Sequence, residues 1–152
     1  MDKSHIFISY FKENRDQVAR LRDELIAAGE KVWWDQDMLP GQNWRLAIRK
    51  AMSSAYAVVV CFSSESEERS RSGVYPELRD AIEMLRQYGP DRSFLFPARL
   101  SECRIPEFQV DSMTMLSDLQ YVDLFPGKKR KAGMVTLIAG IRQSPEHPKS
   151  SR

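Results

Sequence analysis

Glu77 is the side chain best placed to do chemistry. It lies in the run Gly73-Val74-Tyr75-Pro76-Glu77-Leu78. Pro76 suits the first turn of a helix, where a missing N–H is no loss. Glu77 therefore falls in that first turn, one polar stretch after the apolar run Ala55–Phe62. A carboxylate in a cleft can stabilise developing positive charge or move a proton. It can equally do no more than favour the helix dipole, worth about 0.3–1 kcal/mol. Phe11, Trp44 and Tyr75 are aromatic rings able to stack on a flat ligand, and Lys12 can meet a phosphate or stay solvated. Other chemistries lack their residues. There is no GxGxxG or P-loop run. His5 and His147 stand near the two ends of the chain, which disfavours a Ser-His-Asp triad or a histidine metal site. Cys61 sits in an apolar run and Cys103 in an expected loop, with no CxxC pair, so no metal is expected and a reducing, cytoplasmic setting is.

The elements that must position these groups follow from periodicity. Residues 5–10 (HIFISY) read as a first strand. Residues 14–28 place Val18, Leu21, Leu25 and Ala28 at helical spacing, and Gly29 ends that helix. Residues 31–35 (KVWWD) form a second strand, in which Trp33 and Trp34 must face opposite sides. Pro40-Gly41 predicts a tight turn, and Asn43 an N-cap for a helix over 44–54. Trp44 lies on that helix's apolar stripe, so core packing is its default. Ala55–Phe62 is apolar throughout, as in a central strand buried on both faces. The polar residues 63–75 are expected to be a long loop, followed by a helix over 76–88. Residues 93–100 form a fourth strand in which Pro97 demands a bulge or an early start or end. Residues 101–118 are expected to be irregular, with one helical turn near 113–117. A strand over 119–124 and a helix over 132–141 complete the domain.

Strands alternating with helices predict an α/β protein. The specific expectation is a flavodoxin-like three-layer fold, a five-stranded parallel sheet of order 2-1-3-4-5 with helices on both faces. Ligands of such sheets bind beyond the carboxyl ends of the strands, where the order reverses. That point lies between the first and third strands. It brings together Tyr10, Phe11, Lys12 and Glu13 with Ser63, Ser64 and the residues up to Glu77.

The 152 residues suit one domain, residues 1–143, with 144–152 (QSPEHPKSSR less its first residue) as a polar tail or a linker to a further domain. No apolar run approaches the roughly 20 residues needed to span a bilayer, so no membrane contact is expected. Net charge is +2, split as −4 over residues 1–126 and +6 over 127–152. The run Lys128-Lys129-Arg130-Lys131 carries much of that excess. Its bland reading is a solvated loop before the last helix, and nucleic-acid binding is the weaker one.

Taken in order, HIFISY, AAGEKVWWD, DMLPGQNW, AYAVVVCFS and GVYPELRDAIE resemble a bacterial TIR (Toll/interleukin-1 receptor) domain over about residues 4–143. The chain is similar to TIR domains of antiphage effectors, such as those joined to a SAVED sensor domain. The resemblance implies cleavage of the nicotinamide–ribose bond of NAD, with NAD as substrate rather than cofactor. Glu77 matches the family's catalytic glutamate, and Tyr10, Phe11 and Lys12 its pocket-lining segment; Ser63 from the crevice and the rings of Tyr75 and Trp44 are expected as further substrate contacts. Several enzymes of the family carry Trp four residues before that glutamate, and here the position is Gly73. The loop containing Asp37, Leu39, Pro40, Gly41 and Asn43 would contact a neighbouring copy, giving homotypic self-association and possible filaments. The alternative is a non-catalytic TIR–TIR scaffold.

Overall fold

In the computed structural model, residues 4–71, 82–83, 95–107, 109–111, 114–144 and 147–148 are described. Strand β1 (His5–Ser9) pairs in parallel with β2 (Val32–Trp33) on one side and β3 (Ala55–Phe62) on the other. Strand β4 (Leu95–Arg99) lies beside β3. After β4, β5 (Gln109–Asp111) and β6 (Thr114–Met115) form a separate antiparallel pair. Strand β7 (Val122–Asp123) closes the main sheet against β4. The order β2-β1-β3-β4-β7 is the expected 2-1-3-4-5, counted over the five strands of that sheet.

Helices cover both faces. Helix α1 (Arg15–Ala27) and helix α4 (Lys128–Arg142) pack Val18, Leu21, Leu25, Met134, Leu137 and Ile141 against Ile6, Ile8, Val59 and Cys61. Helix α2 (Trp44–Ser53) puts Ala51 and Met52 on the other face, with Phe7, Val58, Val60, Phe62 and Ile82. Alternate residues of β3 thus feed opposite layers, as a pleated strand requires. All eight residues of β3 are buried. Trp33 stacks on Phe7, with ring centroids 5.2 Å apart, while Trp34 packs against the α1 layer, so the two do face opposite sides.

The chemistry of the turns is legible. Gly29 ends α1 with φ of 94°. The Leu39 carbonyl accepts from Gln42 N–H at 3.2 Å across Pro40-Gly41, and Gly41 has φ of 87°, a type II turn. Asn43 caps α2 through Oδ1, which accepts from Leu46 N–H at 3.1 Å. Pro97 costs nothing because its nitrogen faces the β7 side, one residue before β7 begins to pair at Ala98. The register there is unbroken, and the strand is shorter than the apolar run.

Several expectations need correction; residues 101–118, for one, contain the β5–β6 pair rather than being irregular throughout. Residues 63–75 are not all loop: helix α3 spans Ser64–Arg71. It lacks an apolar stripe, and its start is set by capping instead. Ser66 N–H donates to Ser63 Oγ (3.1 Å), and Ser63 N–H donates to Ser66 Oγ (2.8 Å). The basic run 128–131 is the first turn of α4 rather than a loop, and Arg130 is buried. Its guanidinium donates to the Leu124 carbonyl (2.7 Å) and to Glu24. Finally, the 119–124 strand shrinks to two residues because Leu116–Asp118 forms a 3₁₀ turn ahead of it.

The segment expected to be a tail contributes two buried residues. Ser144 Oγ donates to the Tyr56 carbonyl (3.2 Å). His147 meets the edge of the Tyr56 ring and its Nε2 lies 3.0 Å from Glu30 Oε1. Among the described residues, no helix is long and apolar enough to cross a membrane.

Candidate functional site

The carboxyl ends of β1 and β3 are joined by a polar hub. Asn14, 2% exposed, closes the 3₁₀ turn Lys12–Asn14 that follows β1. Its Oδ1 accepts from Ser63 Oγ at 2.7 Å, and its Nδ2 donates to Gln17 (2.7 Å) and Glu65 (3.2 Å). Glu65 sits in the first turn of α3, where its own backbone N–H and then the Asn14 amide hold its carboxyl below the ordinary range. Asn14 ties the two strand ends together across the point where the sheet order reverses. Helical spacing placed it only as the start of α1; its polar side chain beside a strand end was the one available signal.

This hub changes the part played by two expected ligand contacts. Ser63 is fully buried and engaged in capping α3 and bonding Asn14. Phe11, 4% exposed, joins the α2-side core beside Phe7, Cys103 and Leu116. An aromatic side chain at that position gains more by core burial than by lining a wet crevice. Lys12 and Glu13 remain exposed at the rim.

Tyr10 points the other way along the loop. Its hydroxyl donates to the Asp35 carboxylate and accepts from Gln36 Nε2 at 3.4 Å. Partial burial, with the Asp35 carboxylate next in effect, raises the phenol well above its usual range. Tyr10 also lies against Trp34, centroids 5.8 Å apart. The segment after β1 is therefore fastened to the loop after β2.

That loop begins rigid and ends apolar and exposed. Asp37 Oδ2 accepts from Trp34 N–H (3.3 Å), and the Arg22 guanidinium lies 4.0 Å from Asp37 and 5.5 Å from the Trp34 ring centroid. Beyond it, Leu39 is 68% exposed and Trp44 52% exposed, followed by an exposed Leu46. Trp44 is thus not core. It stands in the first position of α2, before that helix reaches the sheet, with the Arg45 guanidinium over its ring at 5.1 Å. Pro40, Gly41 and Asn43 set the loop's shape through the turn and cap described above. Glu77 and Tyr75, with Gly73, lie outside the described residues.

Both cysteines are buried free thiols. Burial pushes the Cys61 thiol up to about 12 and the Cys103 thiol up to about 11, leaving both neutral near neutral pH.

A family model described as "TIR domain" matches residues 6–138. Among solved structures, the TIR domain of a Toll-related receptor from Hydra magnipapillata is similar at 21% identity and a TM-score of 0.65, covering 90% of this chain and 97% of that one. A prokaryotic SEFIR domain is similar at 17% identity and a TM-score of 0.63, covering 93% and 94%. The TIR domains of the activated Roq1 resistosome, a complex that directly recognises the pathogen effector XopQ, are similar at 21% identity and a TM-score of 0.50, covering 63% and 57%. No curated protein sequence matches the chain. At these identities the structural likenesses establish the fold.

Proposed function

The chain belongs to the TIR domain family, and on that premise we propose that it is an NAD-cleaving effector domain activated by self-assembly. The assembly half of the reading rests on one observation. Leu39, Trp44 and Leu46 expose three large apolar side chains within eight residues, from the end of a loop whose base is fixed by Tyr10, Trp34 and Asp37 into the first turn of α2. Such a cluster on a rigid support suits a contact with another copy. A contact between that loop and a different surface of the next copy would run head to tail and extend into a filament.

The chemical half rests on the place of Glu77 in the sequence, after the central strand. The C1′–N bond of NAD breaks with its electron pair going to nicotinamide, which leaves neutral. A carboxylate beside C1′ and the ribose hydroxyls offsets the oxocarbenium-like charge. Water then adds to C1′ and loses a proton, giving ADP-ribose; attack by an adenine nitrogen gives a cyclic product instead. Residue 77 in the carboxylate role, a sensor domain beyond residue 144 and a part in bacterial antiphage defence belong to the same proposal.

A non-catalytic scaffold is favoured by a separate observation: Phe11 and Ser63, both expected to face a ligand, are buried in the core and the α3 cap. Nicotinamide release from NAD separates the two readings. The protein, concentrated or fused to an oligomeriser, should turn NAD over, and Glu77→Gln should abolish turnover. Leu39→Ser should lower both association and turnover. Undiminished turnover in Glu77→Gln would sink the catalytic assignment. Association without turnover in every assembled form would leave the scaffold.

A further inference from the structure

A cleft of about 750 Å³ opens beyond β4 and β7, lined by none of the residues that join β1 to β3. Its size is that of a small-molecule site. One wall is preorganised. Arg99, at the end of β4, donates Nε and Nη2 to the two oxygens of Asp123 (2.6 and 2.9 Å) and Nη1 to the Cys103 carbonyl (2.8 Å). The Tyr121 ring lies over this guanidinium at 4.7 Å, and the tyrosine stays half exposed into the cleft. The other wall is the segment Cys103-Arg104-Ile105-Pro106-Glu107, anchored where Arg104 N–H donates to Glu67 at 2.9 Å.

Two charged side chains in this cleft have no side-chain partner among the described residues. Arg99 is neutralised by Asp123, and Glu67 is engaged, but the Arg104 guanidinium and the Glu107 carboxylate, both exposed, pair with no described residue. They flank the apolar Ile105-Pro106 pair. An unpaired arginine suits a phosphate, which it can bind in a fork. A carboxylate a few residues on can accept from vicinal hydroxyls. A tyrosine ring held flat by a guanidinium offers a stacking face for a planar base. A single amino acid would leave most of this volume empty.

We propose that this cleft is a second ligand site, for a nucleoside monophosphate, with the phosphate on Arg104, the ribose hydroxyls on Glu107 and the base against Tyr121. It requires no catalysis by this chain and stands apart from the NAD reading. The test is a titration of the whole chain with AMP, followed by amide chemical shifts and calorimetry, with adenosine, ribose 5-phosphate and inorganic phosphate as comparison probes. Saturable AMP binding that shifts residues 99–107 and 117–123 is expected. Arg104→Gln, a surface change, should weaken it about tenfold, the loss of one charge-assisted contact. Glu107→Gln should weaken AMP more than 2′,3′-dideoxy-AMP. Glu77→Gln should leave AMP binding unchanged even if it abolishes NAD turnover, which keeps the two proposals separable. No saturation at AMP concentrations of about 5 mM, where even weak sites of millimolar Kd fill, would overturn the site. So would equal binding by Arg104→Gln, binding of inorganic phosphate as tight as AMP, or shifts confined to residues 10–14.

Discussion

Replacing Glu30 should expose how the last helix and the residues after it are held to the sheet. Its carboxylate, only 4% exposed, precedes β2 at the amino end of the sheet. Oε1 accepts from the Tyr56 hydroxyl at 2.7 Å and lies 3.0 Å from His147 Nε2, and Oε2 accepts from Arg142 Nε at 3.2 Å. Burial alone would raise this carboxyl, but the bonds from Tyr56, His147 and Arg142 outweigh it and hold the pKa below its ordinary value of 4.5. In Glu30→Gln the amide oxygen can keep Tyr56 and His147, while the new NH2 confronts Arg142. Arg142 is 46% exposed and keeps its bond to the Ala28 carbonyl, so water can take up part of that loss. Bonds to a charged group contribute about 1.5–3 kcal/mol against about 1 for neutral ones, so the charge-assisted surplus lost comes to about 2 kcal/mol. Glu30→Ala takes the acceptor from the buried Tyr56 hydroxyl and should cost about 3 kcal/mol.

Urea unfolding followed by circular dichroism measures both, and Glu30→Gln should lower Tm by about 4–8 °C for a chain of this size. The pH dependence is the sharper check. A carboxyl held low in the folded state stabilises it above 4.5, and that stability drains away as pH falls through the folded value. His5 acts in the same direction at a higher pH. Burial lowers its pKa from 6.5 against the bond to the Ala51 carbonyl, so the unfolded chain takes up the proton first as pH falls below that value. Wild type should therefore weaken in two stages on acidification, and the lower one should shrink in Glu30→Gln to the part that Glu65 contributes. A loss under about 0.5 kcal/mol, or parallel acid profiles for the two proteins, would refute the reasoning.

Other sites give equally direct tests. Gly133→Ala would place a Cβ 2.2 Å from the Asp123 carbonyl oxygen, an atom of β7 that cannot turn aside. It should cost about 3 kcal/mol or more in urea unfolding. Gly140→Ala meets only the Phe96 ring edge at 3.1 Å and gains helix propensity, so the same measurement should find it within about 1 kcal/mol of wild type. In the basic run, Arg130→Met removes a buried guanidinium's bonds to the Leu124 carbonyl and to the partly exposed Glu24, which water and Arg20 can still reach, and should destabilise by about 2 kcal/mol. Neutralising the exposed Lys128, Lys129 and Lys131 should change stability by less than about 0.5 kcal/mol each.

The sequence revealed most where one local rule governed. The 3-4 spacing of Val18, Leu21 and Leu25 gave α1, the unbroken apolar run gave β3, and Pro40-Gly41 with Asn43 gave a turn and a cap that appear in the structure. Helix α3 was hidden because its residues, Ser64-Glu65-Ser66-Glu67-Glu68, have no apolar period to read; the Ser63–Ser66 cap that starts it looks like any polar stretch. Arg130 and His147 were misread for a different reason. A buried polar side chain is recognisable only through its partner, and Glu24 and Glu30 lie 106 and 117 residues away in sequence. Phe11 and Ser63 were expected at the crevice because they follow β1 and β3, which fixes where the backbone goes but not where each side chain turns.

The geometry of Tyr10 gives the assembly reading a physical route. The loop after β2 has its apolar tip in solvent and its base bonded to Tyr10 through Asp35 and Gln36. Tyr10 in turn begins the segment that runs through Lys12 to Asn14, the residue bonded to Ser63 and Glu65 at the end of β3. A contact with a neighbouring copy at Leu39 or Trp44, as proposed above, would have a bonded route from the loop's base through Tyr10 and Asn14 to the strand ends, where ligands of such sheets bind. Spatial continuity alone does not make a coupling, and Tyr10→Phe is the variant that tests this one. It keeps the ring against Trp34 and removes only the hydroxyl. If the route carries assembly to the site, Tyr10→Phe should associate as well as wild type, as judged by light scattering, yet lose several-fold in NAD turnover per assembled copy. Equal turnover per assembled copy would mean that the loop recruits neighbours without shaping the site.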